Sequence, residues 1–154
     1  MRKMLVLGNP KMSAAAPHDE IRAALRARGL RVTPQRLAVY TALRAIGRHA
    51  TAEDVLERVH RTVPGVSLPT VYAGLELLAD LGLASRVHAG RAVRYDPRAD
   101  PHHHFVCDDC GAVSDLDAMV DLAPALERLR DAGAQPAGAE VLVRGRCAAC
   151  ARNG

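Results

Sequence analysis

The chain of 154 residues has no Trp, one Phe and three Tyr. Any core built from it must therefore be aliphatic. Long apolar runs are also missing. Nothing approaches the roughly 18 residues a membrane span needs, so no spanning helix is expected. The basic start MRKMLVLGNPKM carries an apolar stretch too short for a secretion signal, and no convincing small-residue cleavage site follows it. Residues 1–17 read as a disordered extension, with Met12 an alternative start to Met1. A cytoplasmic location is expected. Cysteine is scarce: there are four, and without a secretion signal a disulfide framework is not expected.

The charge is uneven. Residues 1–95 hold 15 Lys/Arg and 7 Asp/Glu, a net of +8; residues 96–154 hold 6 and 10, a net of −4. A basic half joined to an acidic half predicts two domains, the first facing a polyanion. Solvated Arg-rich helices are the bland alternative.

Four helices are expected in the basic half. Residues 18–28 have helical spacing and stop at Gly29. Thr33 caps a helix over 34–46, with Pro34 at its first position. Thr51 caps 52–62, with Val55, Leu56 and Val59 inward. Ser67 and Pro69 open a fourth, with Leu68, Val71, Leu75 and Leu78 on one stripe up to Gly82. LASRVH and RAVRYD around Ala-Gly then predict a hairpin. Helices followed by a hairpin are the order of a winged helix-turn-helix, whose last helix enters the major groove. Arg31, Arg36, Arg86, Arg91 and Arg94 would meet phosphates. Ser67, Thr70 and Tyr72 are the candidates for base edges, Tyr72 against a thymine methyl. Ala73 and Gly74 leave few side chains there, and Gly74 costs a helix roughly 1 kcal/mol.

The segment DPRADP (96–101) reads as a stiff hinge. Beyond it HHHFVC and CGAVSDL are strand-like, residues 122–132 are helical, and AEVLVRGRC is a third strand. The fold class is α+β: a winged helix over 18–95 hinged to a small α/β unit over 102–151. That second unit is too small to be stable alone and needs a staple or a partner.

All four cysteines fall in Cys107-x-x-Cys110 and Cys147-x-x-Cys150, with 36 residues between the pairs. Two such knuckles bring four thiolates to one structural Zn²⁺ per chain; redox-active dithiols are the alternative. The histidines of PHHHFVCDDCG are not needed there. In a strand His102 and His104 share a face and His103 points away. A His-x-His pair alone is a weak signal. Asp96 and Asp115 could join it, and a His/carboxylate set without sulfur suits Fe²⁺ or Mn²⁺.

GLRVTPQR, HATAEDV, PTVYAGLELLADLGL, RYDP and HHHFVCDDCG, closed by GRCAAC, together resemble the ferric uptake regulator family of bacterial metal-dependent repressors. The resemblance spans about residues 18–151. It implies a homodimer on double-stranded operator DNA. It also implies a regulatory Fe²⁺ or Mn²⁺ site on His49, Asp96, His102, His104 and Asp115. His103 is expected to be an exposed bystander; His18, His60 and His88 are expected to be solvated. Aspartates at both carboxylate positions resemble the peroxide-sensing branch, in which iron-catalysed oxidation of His49 or His102 would release DNA. Iron-uptake sensors usually carry glutamates there, and zinc-uptake sensors an extra cysteine near the hinge. A second His/acid site common in iron sensors lacks its parts, with Pro at 101. Iron or manganese sensing without peroxide chemistry is the alternative, and a small metalloenzyme a remote one.

Overall fold

The computed structural model describes residues 18–89 and 92–152. The expected N-terminal extension, and Gly90 and Arg91, lie outside them. Four helices come first: α1 (Asp19–Ala27), α2 (Pro34–Ile46), α3 (Ala52–Val59) and α4 (Leu68–Asp80). Their starts follow from local chemistry. The Thr33 hydroxyl accepts from the Arg36 N–H, with Pro34 behind it. Thr51 and Asp54 form a reciprocal capping box. The Ser67 hydroxyl caps α4. Helix α3 stops at Val59, three residues before the expected end. The Val59 carbonyl accepts from Thr62 and Val63 in the tight turn that follows.

The apolar stripes of these helices meet in one aliphatic core that includes Ile21, Leu25, Leu43, Val55, Val71 and Leu75. Gly74 has a packing reason. A Cβ there would lie 3.2 Å from both methyls of Val39, so its absence lets α4 press onto α2. Position 74 therefore faces the core and is no lost base contact.

The hairpin of β1 (Ser85–Ala89) and β2 (Ala92–Asp96) is antiparallel and forms the wing. Tyr95 exchanges both backbone hydrogen bonds with Ala50, at 2.9 and 2.8 Å. This bridge fastens the α2–α3 loop to the end of β2. The Tyr95 hydroxyl donates to Glu76 of α4 at 2.6 Å.

A second sheet follows in the order β4-β3-β5. It comprises β3 (His103–Cys107), antiparallel β4 (Val113–Leu116) and parallel β5 (Leu142–Gly145). The crossover between β4 and β5 carries α5 (Ala123–Asp131). A short α6 (Ala148–Arg152), which the sequence pattern did not announce, ends the described chain. Val87 and Ala89 of the wing pack against Val106 and Val113 of this sheet. The two units thus touch directly as well as through residues 97–101. By contrast, α5 buries none of its residues, and Met119, Val120, Leu129, Leu142 and Val143 are exposed.

Candidate metal centres

Four segments converge at the joint between the wing and the second sheet. His49 comes from the α2–α3 loop. Asp96 ends β2. His102 and His104 flank the start of β3, and Asp115 lies opposite His104 on β4. The Ala50–Tyr95 bridge explains part of the meeting, since it sets the residues next to it, His49 and Asp96, side by side. One donor atom from each of the five side chains lies within 4.8 Å of all the others.

Asp96 is the hub. Its Oδ2 is 3.1 Å from His49 Nε2, 2.8 Å from His102 Nε2 and 3.7 Å from His104 Nε2. Asp115 Oδ1 is 3.3 Å from His49 Nε2 and 3.4 Å from His102 Nε2. Metal–nitrogen bonds of about 2.1 Å put neighbouring donors about 3 Å apart, so these spacings match the edges of a coordination shell. The hydrogen bonding points the same way. His102 donates its Nδ1–H to the Asp100 carbonyl at 2.7 Å. In the neutral ring the Nε2 lone pair then faces a carboxylate oxygen, a contact that needs a proton or a cation between the two. His49 Nε2 and His104 Nε2 are buried and have no hydrogen-bond partner, which is costly unless something binds them. Nitrogen and oxygen donors without sulfur fit Fe²⁺ or Mn²⁺.

Burial alone would raise the Asp96 carboxyl, but His49 beside it, the Arg98 N–H and His102 hold it well below the usual carboxylate range. Burial, with the neighbouring His102 and His49, lowers His104. Both shifts favour the deprotonated forms that a metal requires.

The second cluster lies at the far end of β3. Cys107 ends that strand, Cys110 lies in the turn after it, Cys147 follows β5 and Cys150 sits on α6. Their sulfurs lie within 4.8 Å of one another, with Cys110 Sγ 3.9 Å from Cys147 Sγ. Zinc–sulfur bonds of about 2.3 Å would set tetrahedral sulfurs about 3.8 Å apart. Backbone N–H groups at Cys110 and Cys147 pull the Cys107 thiol down to about 6. The neighbouring sulfurs of Cys147 and Cys110 push Cys150 up to about 12. Four thiols this close cannot all ionise without a cation among them. The four-sulfur donor set is that of structural zinc.

Other sequence candidates divide. Arg31, Ser67, Thr70 and Tyr72 are exposed, Tyr72 at 39 %. Ser67 is occupied locally, since its hydroxyl also lies 2.9 Å from that of Thr70. Arg36 donates to the Arg31 carbonyl, and Arg91 lies outside the described residues. Arg86 and Arg94 correct the expectation. Arg86 pairs with Glu76 and Asp80 of α4, and Arg94 donates to the Gly111 carbonyl across the joint. Arg86 is thereby held on two acids of its own unit, and Arg94 has its Nε engaged at the joint. His103 is no bystander: it is half-buried and accepts from the Val141 N–H at 3.1 Å. His18 hydrogen-bonds Thr41, and His60 donates to the Val66 carbonyl; only His88 among these three is simply exposed.

Sequence reasoning missed Arg98. Its N–H donates to Asp96 Oδ1 at 2.9 Å and its carbonyl accepts from Ser85. Its guanidinium grips Asp100 and donates to Asp115 Oδ2 at 2.8 Å. The signal available was an arginine among three acids in and beyond DPRADP, too general to single out.

A winged-helix unit on a small sheet, with a nitrogen/oxygen cluster at the joint and a sulfur cluster at the sheet's end, defines a DNA-binding-type fold built around two metal-type centres. The model of the Ferric uptake regulator family matches residues 27–142. Ferric uptake regulation protein 1 of Mycolicibacterium fortuitum is 42% identical over 120 residues, covering 77% of this chain and 74% of that protein. The peroxide-responsive repressor PerR of Staphylococcus aureus is 32% identical over 99 residues, covering 64% and 67%. The ferric uptake regulator of Pseudomonas aeruginosa, solved with manganese, superposes with a TM-score of 0.65 at 30% identity, covering 82% of this chain and 97% of that one. The chain belongs to the ferric uptake regulator family, and as such is a metal-dependent transcriptional regulator rather than an enzyme. No helix among the described residues is long and apolar enough to cross a membrane.

Proposed function

We propose that the protein is a homodimeric repressor that binds double-stranded operator DNA when Fe²⁺ or Mn²⁺ fills the joint site. The observation that carries this reading is the convergence of His49, Asp96, His102, His104 and Asp115 from both units on one point. Without a cation these lone pairs repel or must take up protons, so the joint is costly to close. A cation binding the closed arrangement better than the open one shifts the balance by that difference in affinity. The chain links this point to α4 in two steps: Asp96 follows Tyr95, whose hydroxyl holds Glu76 of α4. Arg31 and Arg36 would meet phosphates, and Ser67, Thr70 and Tyr72 lie on the α4 face offered to base edges; Arg91 remains a candidate from sequence alone. Cys107, Cys110, Cys147 and Cys150 would hold one structural Zn²⁺ per chain. The exposed apolar side chains around α5 and β5 suit a second copy of the chain.

The finer reading is peroxide sensing. It rests on two short carboxylates, Asp96 and Asp115, which with three imidazoles supply only five donors. Iron, when bound, supplies the electron for reduction of peroxide. By the family resemblance, His49 and His102 would be the imidazoles oxidised, and an oxidised ring would be a poor donor. A second reading, iron or manganese response without peroxide chemistry, is favoured by the higher identity to a ferric uptake regulation protein than to PerR. Mass spectrometry separates the two. Fe²⁺-loaded protein treated with micromolar peroxide should gain one oxygen on the peptide carrying His49 or His102 and lose DNA binding, whereas Mn²⁺-loaded protein should not. Unmodified peptides with DNA binding retained would assign the protein to plain metal response.

A further inference from the structure

The two oxygens of Asp115 have different partners. Oδ1 faces His49 and His102 at 3.3 and 3.4 Å. Oδ2 accepts from Arg98 Nη1 at 2.8 Å and so is directed out of the cluster. This arginine is not a loose surface group. Asp100 takes Nε and Nη2 as a fork, at 3.3 and 2.6 Å. The Arg98 N–H is fixed on Asp96 Oδ1 and its carbonyl on the Ser85 hydroxyl. A single exposed ion pair contributes little, but here the backbone is fixed at both its N–H and carbonyl and the half-exposed guanidinium is shared by two carboxylates in a fork, which narrows its alternatives before it meets Asp115.

We infer that Arg98 is a positioning residue that keeps Asp115 a one-oxygen donor and thereby keeps the joint site at five protein donors. The inference rests on the metal-site reading above. An octahedral ion such as Mn²⁺ held by five donors retains one position for solvent. Asp115 stands on β4, at the rim of the cluster, and is partly exposed. Without the Arg98 bond its carboxylate is free to turn and present both oxygens, closing that position. Arg98 would then decide whether a small molecule can reach the ion, which is the property that divides a sensor of reactive molecules from a sensor of metal alone.

Arg98→Met and Arg98→Ala test this. Both keep the ligands, and circular dichroism checks the fold. The readout is water-proton relaxation in Mn²⁺-titrated, zinc-retaining dimer, which reports rapidly exchanging water on the bound ion. Wild-type protein should show strong enhancement, and both variants should bind Mn²⁺ with enhancement near the baseline of protein without Mn²⁺. Variants that bind Mn²⁺ with wild-type enhancement would overturn the inference and leave the metal site standing. Loss of Mn²⁺ binding in both variants would also overturn it, because Arg98 would then be a support of the site rather than a limit on its donors. Wild-type protein that binds no Mn²⁺ at the joint would remove the metal-site reading and this inference with it.

Discussion

The two clusters differ in what they join. The cysteines close a circuit within one small unit: the end of β3, the turn after it, the segment after β5 and helix α6. The histidines and aspartates span the joint, drawing on the α2–α3 loop, the wing, the hinge and the second sheet. Their donors differ as well. Thiolates in a tetrahedral set saturate zinc and leave nothing to regulate. Imidazole and carboxylate bind more weakly and exchange protons near neutrality. One cluster is suited to holding a fold together, the other to being filled or emptied as conditions change.

The largest effect should follow from breaking the first. The second sheet buries few apolar side chains, so metal binding there is part of its folding free energy. Cys110→Ser should release zinc, unfold residues beyond about 102 and abolish the dimer. Analytical ultracentrifugation with a zinc assay checks this; a folded, dimeric Cys110→Ser protein would remove the staple from the account.

Acidification should act on the second cluster first. Asp96 and His104 both have lowered pKa values in the folded protein. Groups lowered in this way contribute stability that is complete above their unfolded values and is lost as pH falls. For His104 the loss begins below the free imidazole value of about 6.5, and for Asp96 only below about 4. Zinc-retaining protein without joint metal should therefore melt lower at pH 5.5 than at 7.5, and Mn²⁺ affinity should fall over the same interval as protons compete for the imidazoles. His104→Gln should flatten the melting difference. Equal melting at both pH values would contradict the burial of a neutral His104.

A smaller effect is expected remote from both clusters. Gly74→Ala places a methyl 3.2 Å from Val39. Helix propensity favours Ala by about 1 kcal/mol, but overpacking costs roughly 1–3 kcal/mol. The net should be a loss of about 1 kcal/mol in urea unfolding, relieved by adding Val39→Ala. A stabilised single variant would show that α4 can shift on α2 without cost.

Helices α2, α3 and α4 were legible because their starts carry local chemistry: Thr33 with Pro34, Thr51 with Asp54, Ser67 with Pro69. Hydrogen-bonding residues at those positions act over three residues and need no tertiary context. Helix α6 was not legible, because the two intervening alanines of Cys147-x-x-Cys150 carry no such signal. The cysteine set was readable from spacing alone. From local pattern the joint cluster was readable only in part, and His49 came from the family resemblance. His102 and His104 alternate on a strand, but nothing local ties His49 to Asp96. Their meeting depends on the Ala50–Tyr95 bridge, a contact 45 residues apart in sequence. Arg86 and Arg94 misled for a related reason. Charge alone cannot say whether an arginine meets a phosphate or a group of its own fold: Glu76 and Asp80 hold Arg86, and the Gly111 carbonyl takes the Nε of Arg94.

The most direct test of the account is the DNA affinity of zinc-retaining protein with the joint site filled and empty. A duplex from the protein's own promoter serves as the probe, and fluorescence anisotropy as the readout. Mn²⁺ should tighten binding by roughly 5- to 150-fold, the span of ordinary allosteric coupling. Affinity should fall steeply with salt, as phosphate contacts require. His49→Ala, which removes a donor from the helical unit while leaving the cysteines intact, should bind weakly whether or not Mn²⁺ is present. Tight, sequence-specific binding by wild-type protein stripped of joint metal, or an undiminished Mn²⁺ response in His49→Ala, would contradict the claim that this cluster is the switch.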